Sequence, residues 1–274
     1  MNPEENLKYI SGILMQHDVA GLNPGLLHGK MGLVVFFVHY ARYTGDPLFE
    51  NHAMALMDNI QEQILRQNDM TYASGLAGIG TGIEYLVQNN FLEADTNEVL
   101  EDFDQYIFEA TVFGDHTDVS LFTGLTGLGR YSLFRIAGND ASDNHTGTLG
   151  NKIRLTQITD ILDRMQSDLR EADADDVFRF LYDMNRANIF PVKVKRMLRR
   201  FSSGSSLPNH DDRMTSYQKK LKTLYSNKYS EFLSEIRKNP QPDTVPDLYG
   251  GLAGIGLYIL SKIDKQHETW MKLL

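Results

Sequence analysis

Apolar residues along this chain fall at helical spacing and not in the alternation of strands. Leu7, Ile10 and Leu14 predict a first helix over about 4–17, and Phe49, Ala53, Leu56, Met57, Ile60 and Ile64 share one face of a second that ends near Gln67. Asp46-Pro47 opens that second helix, an N-cap acid followed by proline at the first helical position. Between such amphipathic stretches stand apolar helix-period runs: Val35-Phe36-Phe37, then Ile83, Tyr85 and Leu86, then Leu133, Phe134 and Ile136, and finally Leu257-Tyr258-Ile259-Leu260. They predict inner helices over about 29–43, 76–88 and 124–136, with a last one from Gly251 onward. A third outer helix, capped by Asp95 or Thr96, is predicted to end near Thr111, and an amphipathic helix covers about 150–170. Further helices are expected from Asp173 or Asp175 to about Asn188, over 192–201 after Pro191, and over about 213–237. The reading is all-α, with outer helix, loop and inner helix as the unit.

Each inner helix opens on a glycine signature. Ser74-Gly75-Leu76-Ala77-Gly78, Thr123-Gly124-Leu125-Thr126-Gly127 and Gly250-Gly251-Leu252-Ala253-Gly254 are three copies, and His28-Gly29-Lys30-Met31-Gly32 is a looser fourth. Such recurrence marks an internal repeat. The first glycine suits a turn with positive φ. The second, three residues on, lies on one face of the starting helix, where a missing Cβ lets backbones approach. Glycine within a helix costs about 1 kcal/mol against alanine, so its return at matching positions points to packing. A phosphate-cradling loop would need a preceding strand and a downstream lysine or acid, and the stretches before these motifs are not strand-like. The motif interval is 46 residues from Gly29 to Gly75, 49 from Gly75 to Gly124, and 127 from Gly124 to Gly251. Two degenerate repeats of about 42 residues would fill the last interval.

In its repeated Gly-x-x-Gly helix starts, one per helical hairpin, the chain resembles the lanthionine synthetase C-like (LanC-like) family. The resemblance covers the N-terminus to about Gly138 and resumes near Asp247. It implies an α/α-toroid, an inner ring of helices inside an outer ring, in a single domain over 1–274 with a degenerate middle. About five to six hairpins can be counted, fewer than the seven of the full family fold, so the ring is either smaller or open. In the family's cyclases the positions just before the later motifs supply two Cys and one His to a zinc ion, which activates a substrate thiol as a Lewis acid. Here the last motif offers Tyr249 and Gly250, and the sequence has no cysteine. The expectation is therefore a LanC-like protein of peptide modification that carries no metal or other cofactor, binds a peptide or precursor peptide, and does not itself cyclise it.

Composition adds limits. The chain is 42% hydrophobic and 23% charged, an ordinary globular balance. No apolar run reaches the roughly 18 residues of a membrane span, and the acidic start Met1-Asn2-Pro3-Glu4-Glu5 lacks the features of a signal peptide. Together with the absence of cysteine, this sets the expectation of a cytoplasmic protein. The net charge of −9 hides an asymmetry, because residues 186–228 carry eleven Lys and Arg against two acids. An acidic body with one basic segment calls for an intramolecular contact or an acidic partner, and the overall charge argues against nucleic acid.

Candidate chemistry follows from the repeat. In a toroid the loops entering the inner helices gather at one mouth, so His28, Tyr72, Ser74, Asp118, Thr123, Asp247 and Tyr249 are expected to line an acidic, substrate-holding cavity. His28, His116, Asp118 and Asp247 are the candidates for catalysis, since imidazole and carboxylate are the usual acid–base groups. Asp115-His116-Thr117-Asp118 reads either as a metal or acid–base cluster or as a polar turn. A second class of function is a glycoside hydrolase with Asp115 or Asp118 paired to Asp247, and a third is a structural scaffold. The basic run Lys193, Lys195, Arg196, Arg199 and Arg200 flanks a stripe of Val194, Met197, Leu198 and Phe201, and is expected either to contact a partner or to rest on the acidic body. His210-Asp211-Asp212 reads as solvated loop in a Ser/Gly/Pro-rich linker.

Overall fold

The computed structural model describes residues 2–66, 68–114, 116–141, 145–165, 169–202, 210–239 and 245–274. Among them every regular element is helical. In chain order these are α1 (Pro3–Gln16), α2 (Lys30–Thr44), α3 (Pro47–Ile64), α4 (Leu76–Gln88), α5 (Thr96–Val99), α6 (Glu101–Phe113), α7 (Leu125–Ala141), α8 (His145–Met165), α9 (Glu171–Arg186), α10 (Pro191–Ser202), α11 (His210–Ile236) and α12 (Leu252–Ile263). A 3-10 helix, Lys265–Leu273, closes the chain and was not foreseen from the sequence. The predicted third outer helix is interrupted at Leu100, and Asp95 caps its first turn by accepting from the Asn97 amide at 2.9 Å. His210-Asp211-Asp212 is not a loop but the first turn of α11, where two acids suit the positive end of the helix dipole.

Two compact units form, one of residues 1–69 with 221–274 and one of residues 70–220. In the first, α2 packs on α3 and α12, and α1 lies along α12. Asn6 on α1 donates to the Tyr229 hydroxyl at 2.6 Å, which ties α1 to the later half of α11. In the second, α7 packs on α4, α8 and α9, and α10 packs on α9. Val177, Phe178, Arg179, Phe180 and Leu181 of α9 are all buried, so this helix is enclosed on several faces although no glycine motif precedes it.

The second glycines serve the close backbone approach expected of them, but the first glycines are not there for positive φ. Gly29, Gly75 and Gly251 have negative φ, so no left-handed turn requires them. What excludes a side chain is lack of room. A Cβ on Gly29 would overlap the carbonyl oxygen of Asn23, one on Gly124 that of Asp118, and one on Gly251 that of Val245. In each case the carbonyl lies six residues back. The second glycines repeat the spacing, Gly32 against Leu26, Gly127 against Leu121 and Gly254 against Leu248. Each loop thus wraps over the start of its own helix, and its carbonyls take the helix's first amides: Lys30 N to Asn23 O at 2.9 Å, Leu125 N to Asp118 O at 3.1 Å, Leu252 N to Val245 O at 2.9 Å. Amides satisfied in this way are not available to cradle a phosphate. A third glycine seats a ring from a neighbouring helix of its own unit, Gly80 taking Tyr131 of α7, Gly129 taking Phe180 of α9 and Gly256 taking Phe36 of α2.

A buried ionic network joins α4 through α8 in the second unit. Arg135 on α7 pairs with the fully buried Glu84 of α4, and it donates from Nε at 3.0 Å and Nη2 at 2.8 Å to Asp104 of α6. Thr96 and Asn97 of α5 accept from it at 3.1 and 3.2 Å. Arg154 of α8 reaches the Asp104 carbonyl at 2.6 Å. Burial pulls the Arg135 guanidinium down, but its hydrogen bonds to Asp104 and Glu84 outweigh this, so it stays charged. Glu84→Gln keeps the shape and removes the charge. It is expected to lower the urea midpoint by the equivalent of about 2 kcal/mol, the difference between a charged and a neutral buried hydrogen bond. An unchanged midpoint would mean that the network is not needed for stability.

Candidate functional site

The wrapped loops come together in pairs. In the first unit the Tyr249 amide donates to the Leu27 carbonyl at 3.0 Å, and in the second the Ala73 amide donates to the Phe122 carbonyl at 2.9 Å. The contact beneath is equivalent in both. A Cβ on Gly32 would meet the Leu248 Cβ at 2.7 Å, and one on Gly127 the Tyr72 Cβ at 2.6 Å. In each pair, one motif's second glycine, Gly32 or Gly127, is therefore the seat for the residue preceding the paired amide. Pairing draws together side chains that are over two hundred residues apart in the first unit.

There, His28 Nδ1 and Asp247 Oδ2 are 2.8 Å apart. The Tyr249 ring stands edge-on to the His28 imidazole, with centroids 6.3 Å apart at 82°. The His28 side chain is 38% exposed and that of Asp247 is 15% exposed, so the pair is reachable while its carboxylate is largely shielded. The loops are fixed from both sides. Asn23 donates from Nδ2 to the His28 carbonyl and accepts from the Gly25 amide through Oδ1, both at 2.8 Å. Tyr225 of α11 donates its hydroxyl to the Leu248 carbonyl at 2.8 Å and accepts from the Gly250 amide at 3.3 Å. A carboxylate on Nδ1 sets the imidazole tautomer and orientation, which is the arrangement used to hold a histidine as a proton acceptor or a hydrogen-bonding anchor.

In the second unit Asp118 closes its own loop. Its Oδ2 accepts from the Thr123 hydroxyl at 2.5 Å and its Oδ1 from the Ser120 amide at 2.8 Å. Partial burial pushes the Asp118 carboxyl up, but these hydrogen bonds, with Arg170 nearby, outweigh it and leave the carboxyl below its usual range. An ionised Asp118 near neutral pH is a cap and an acceptor, not the proton donor that glycoside hydrolysis requires. Its place six residues before Gly124 matches that of Asn23 before Gly29, which makes both residues part of the loop wrap.

Not every candidate reaches a surface. Tyr72, expected to line a cavity, is wholly buried, pressed on Gly127 and stacked under Arg130, whose guanidinium carbon lies 5.9 Å from its ring. Ser74 is half-buried and its amide donates to Thr71 Oγ1 at 3.4 Å. Thr123 is exposed, and His116 is half-buried beside Gly114. Asp115 lies outside the described residues. Among the described residues no group of three His, Cys, Asp or Glu side chains gathers as a metal site. The zinc set implied by the resemblance does not fit here, for a reason beyond the missing cysteines. Gly250 has φ +74°, a left-handed backbone that a ligating histidine would rarely adopt. His210, Asp211 and Asp212 do not act as a cluster, since His210 Nε2 lies 3.1 Å from the Leu198 carbonyl and Asp211 accepts from the Tyr182 hydroxyl at 2.7 Å.

The basic run forms α10. Val194, Met197 and Leu198 are buried, while Lys193 and Arg196 reach Asp160 and Asp163 of α8, each at 2.5 Å. Asn23 and Tyr225, which hold the His28 loop pair, were missed as site residues. Alignment of the four loops backward from their glycines by six residues would have singled out Asn23. Comparison with protein-family models and with characterised proteins finds no match for this chain.

Proposed function

We propose that the chain is a LanC-like α/α-toroid protein of peptide modification, acting in the cytoplasm, that binds a peptide or precursor peptide without a zinc ion and does not cyclise it. The observation that carries this reading is the pairing of the loops before the first and last motifs, which gathers His28, Asp247 and Tyr249 into one partly exposed cluster. A carboxylate-oriented imidazole beside an aromatic ring offers a peptide a hydrogen-bonding anchor and an apolar face. The glycine wraps support the family resemblance, because they give three of the four copies of the signature the same structural job. The absence of Cys from the sequence, with Gly250 left-handed where the resemblance implies a histidine, supports the non-cyclase part.

The test uses a synthetic peptide containing one dehydroalanine and one cysteine. Calorimetry should show it binding the intact protein, and His28→Ala and Asp247→Asn should each weaken binding by about tenfold, the loss of one charge-assisted contact. The peptide's free thiol, titrated by alkylation, should persist at the buffer rate even with added zinc. Zinc-dependent thiol loss above buffer would overturn the non-cyclase reading. Absent binding, or equal binding by the variants, would overturn the site and leave a scaffold.

A further inference from the structure

The outward face of α5 and α6 in the second unit joins uncompensated carboxylates to exposed aromatic rings. α6 is held through Phe103, Ile107 and Thr111, all buried, and Leu100 at the break before it is buried too. Its other side carries Tyr106, 47% exposed, and Phe113, 82% exposed, seven residues apart and so on one face of the helix. Asp102, four residues before Tyr106, and Glu109, three after it, share that face, and both are exposed. Glu98, Val99 and Glu101 stand exposed at its start. No lysine or arginine lies between Arg66 and Arg130 in the sequence. From the helices packed on α6, Arg135 of α7 and Arg154 of α8 are spent on Asp104. Among the described residues the exposed Lys152 of α8 pairs with no acid, and Glu98, Glu101 and Asp102 hold no ion pair. Glu109 takes only the Gln105 side-chain amide, at 3.2 Å. Neither Tyr106 nor Phe113 meets another ring or a cation there.

We propose that this face docks a cationic, amphipathic peptide helix. Carboxylates with no cation among them select positive charge. The rings select the same partner, because their π faces attract lysine and arginine while covering apolar side chains. Tyr106 and Phe113 lie about 10 Å apart along α6, at about 1.5 Å per residue, which matches apolar residues seven apart on a partner helix. An anionic membrane or a nucleic acid is a poorer fit, because each would bring its charge against the same carboxylates. A second copy presenting this face would do so as well. A metal ion alone is also poorer, since no three acids or histidines gather there among the described residues. The face stands on α5 and α6 and does not depend on the paired loops.

The experiment is fluorescence anisotropy of the intact protein with a fluorescein-labelled peptide of lysine and leucine, its leucines placed on one helical face. Binding is expected at low salt and should weaken as salt rises. Tyr106→Ser/Phe113→Ser keeps every charge, sits at exposed positions and, with the fold checked by circular dichroism, should lose about tenfold in affinity. Glu101→Gln/Asp102→Asn should also lose about tenfold. Glu50→Gln/Asp58→Asn removes two exposed acids from α3 and should bind as the native protein does. His28→Ala should do the same, which separates this proposal from the reading of the loop cluster. No binding at low salt, or equal binding by the Tyr106/Phe113 variant, would overturn the proposal. An equal loss in the α3 variant would do so too, by reducing the attraction to overall charge. So would a dimer, seen in sedimentation, that the Tyr106/Phe113 variant disperses, since a second copy would then cover the face.

Discussion

Gly254→Ala is expected to destabilise the protein by about 3 kcal/mol, although alanine for glycine inside a helix ordinarily stabilises by about 1 kcal/mol. The reversal comes from the wrapped loop. A Cβ on Gly254 would fall on the Leu248 carbonyl oxygen and come within 2.6 Å of the Tyr225 ring. That oxygen cannot simply move aside, because Tyr225 donates to it at 2.8 Å. The same loop gives its carbonyls to the helix start, Val245 O to Leu252 N at 2.9 Å and Pro246 O to Ala253 N at 3.2 Å. Lifting the loop leaves several backbone groups without partners and draws Asp247 away from His28. Gly12 on α1, in the same unit, is the control. It is exposed and a Cβ there meets nothing within 4 Å, so Gly12→Ala should stabilise by the ordinary helical amount. Urea midpoints of the two variants, read with the native slope, decide the matter. Equal shifts in the same direction would mean that the wrap does not constrain Gly254.

Helix positions were legible because the signals that set them are local. Asp46-Pro47 caps α3 as its residue types require, with Asp46 accepting from the Leu48 amide at 2.9 Å. α4 spans Leu76–Gln88, the range its apolar period predicts. The glycine repeat was legible as packing, but its cause was not. Six-residue backbone wrapping leaves no trace in side-chain pattern beyond the glycine itself, and positive φ was the more obvious explanation. α9 was read as a helix but not as a largely buried one, because Arg179 and its acids look solvated in sequence while the structure buries the arginine. Arg135 and Glu84 were invisible for the same reason. A charge inside an inner helix announces nothing until its partner, 51 residues away, is placed beside it. In the site, sequence order alone named His28, Asp247 and Tyr249 as loop residues of equivalent rank, and the loop pairing joins them. Tyr72 held the same rank and is buried, since its loop turns that side chain under the neighbouring glycine instead of outward.

Acidification between about pH 6.5 and 4.5 is expected to loosen the C-terminal 3-10 helix before carboxylate protonation unfolds the rest. His39 of α2 and His267 of the 3-10 helix lie Nδ1 to Nδ1 at 2.8 Å, a distance at which one nitrogen donates and the other accepts. The accepting imidazole must then be neutral, and a proton on it would break the contact. Burial, then the neighbouring His267 and Arg42, holds His39 down to about 3, from an ordinary imidazole value of 6.5. Burial lowers His267 as well, with Arg42 adding to it and Asp264 opposing. The Tyr43 ring also faces His267, with centroids 6.4 Å apart, and it carries no charge in this range. The unfolded chain takes up a proton on His39 below pH 6.5 while the folded chain refuses it until about pH 3. Stability is therefore full above pH 6.5 and falls by about 1.4 kcal/mol per pH unit for this histidine as pH drops, toward a total of about 5 kcal/mol. The sole tryptophan, Trp270, is buried in the same 3-10 helix with its ring edge-on to Tyr225 at 5.0 Å, so its fluorescence reports on the docked segment. Denaturation followed at Trp270 should show the midpoint falling with pH in the native protein and a markedly flatter dependence in His39→Gln, which keeps a polar partner for His267 and cannot titrate. A native midpoint that stays level down to about pH 4.5, or the same slope in the variant, would remove the histidine pair as the acid-sensitive contact.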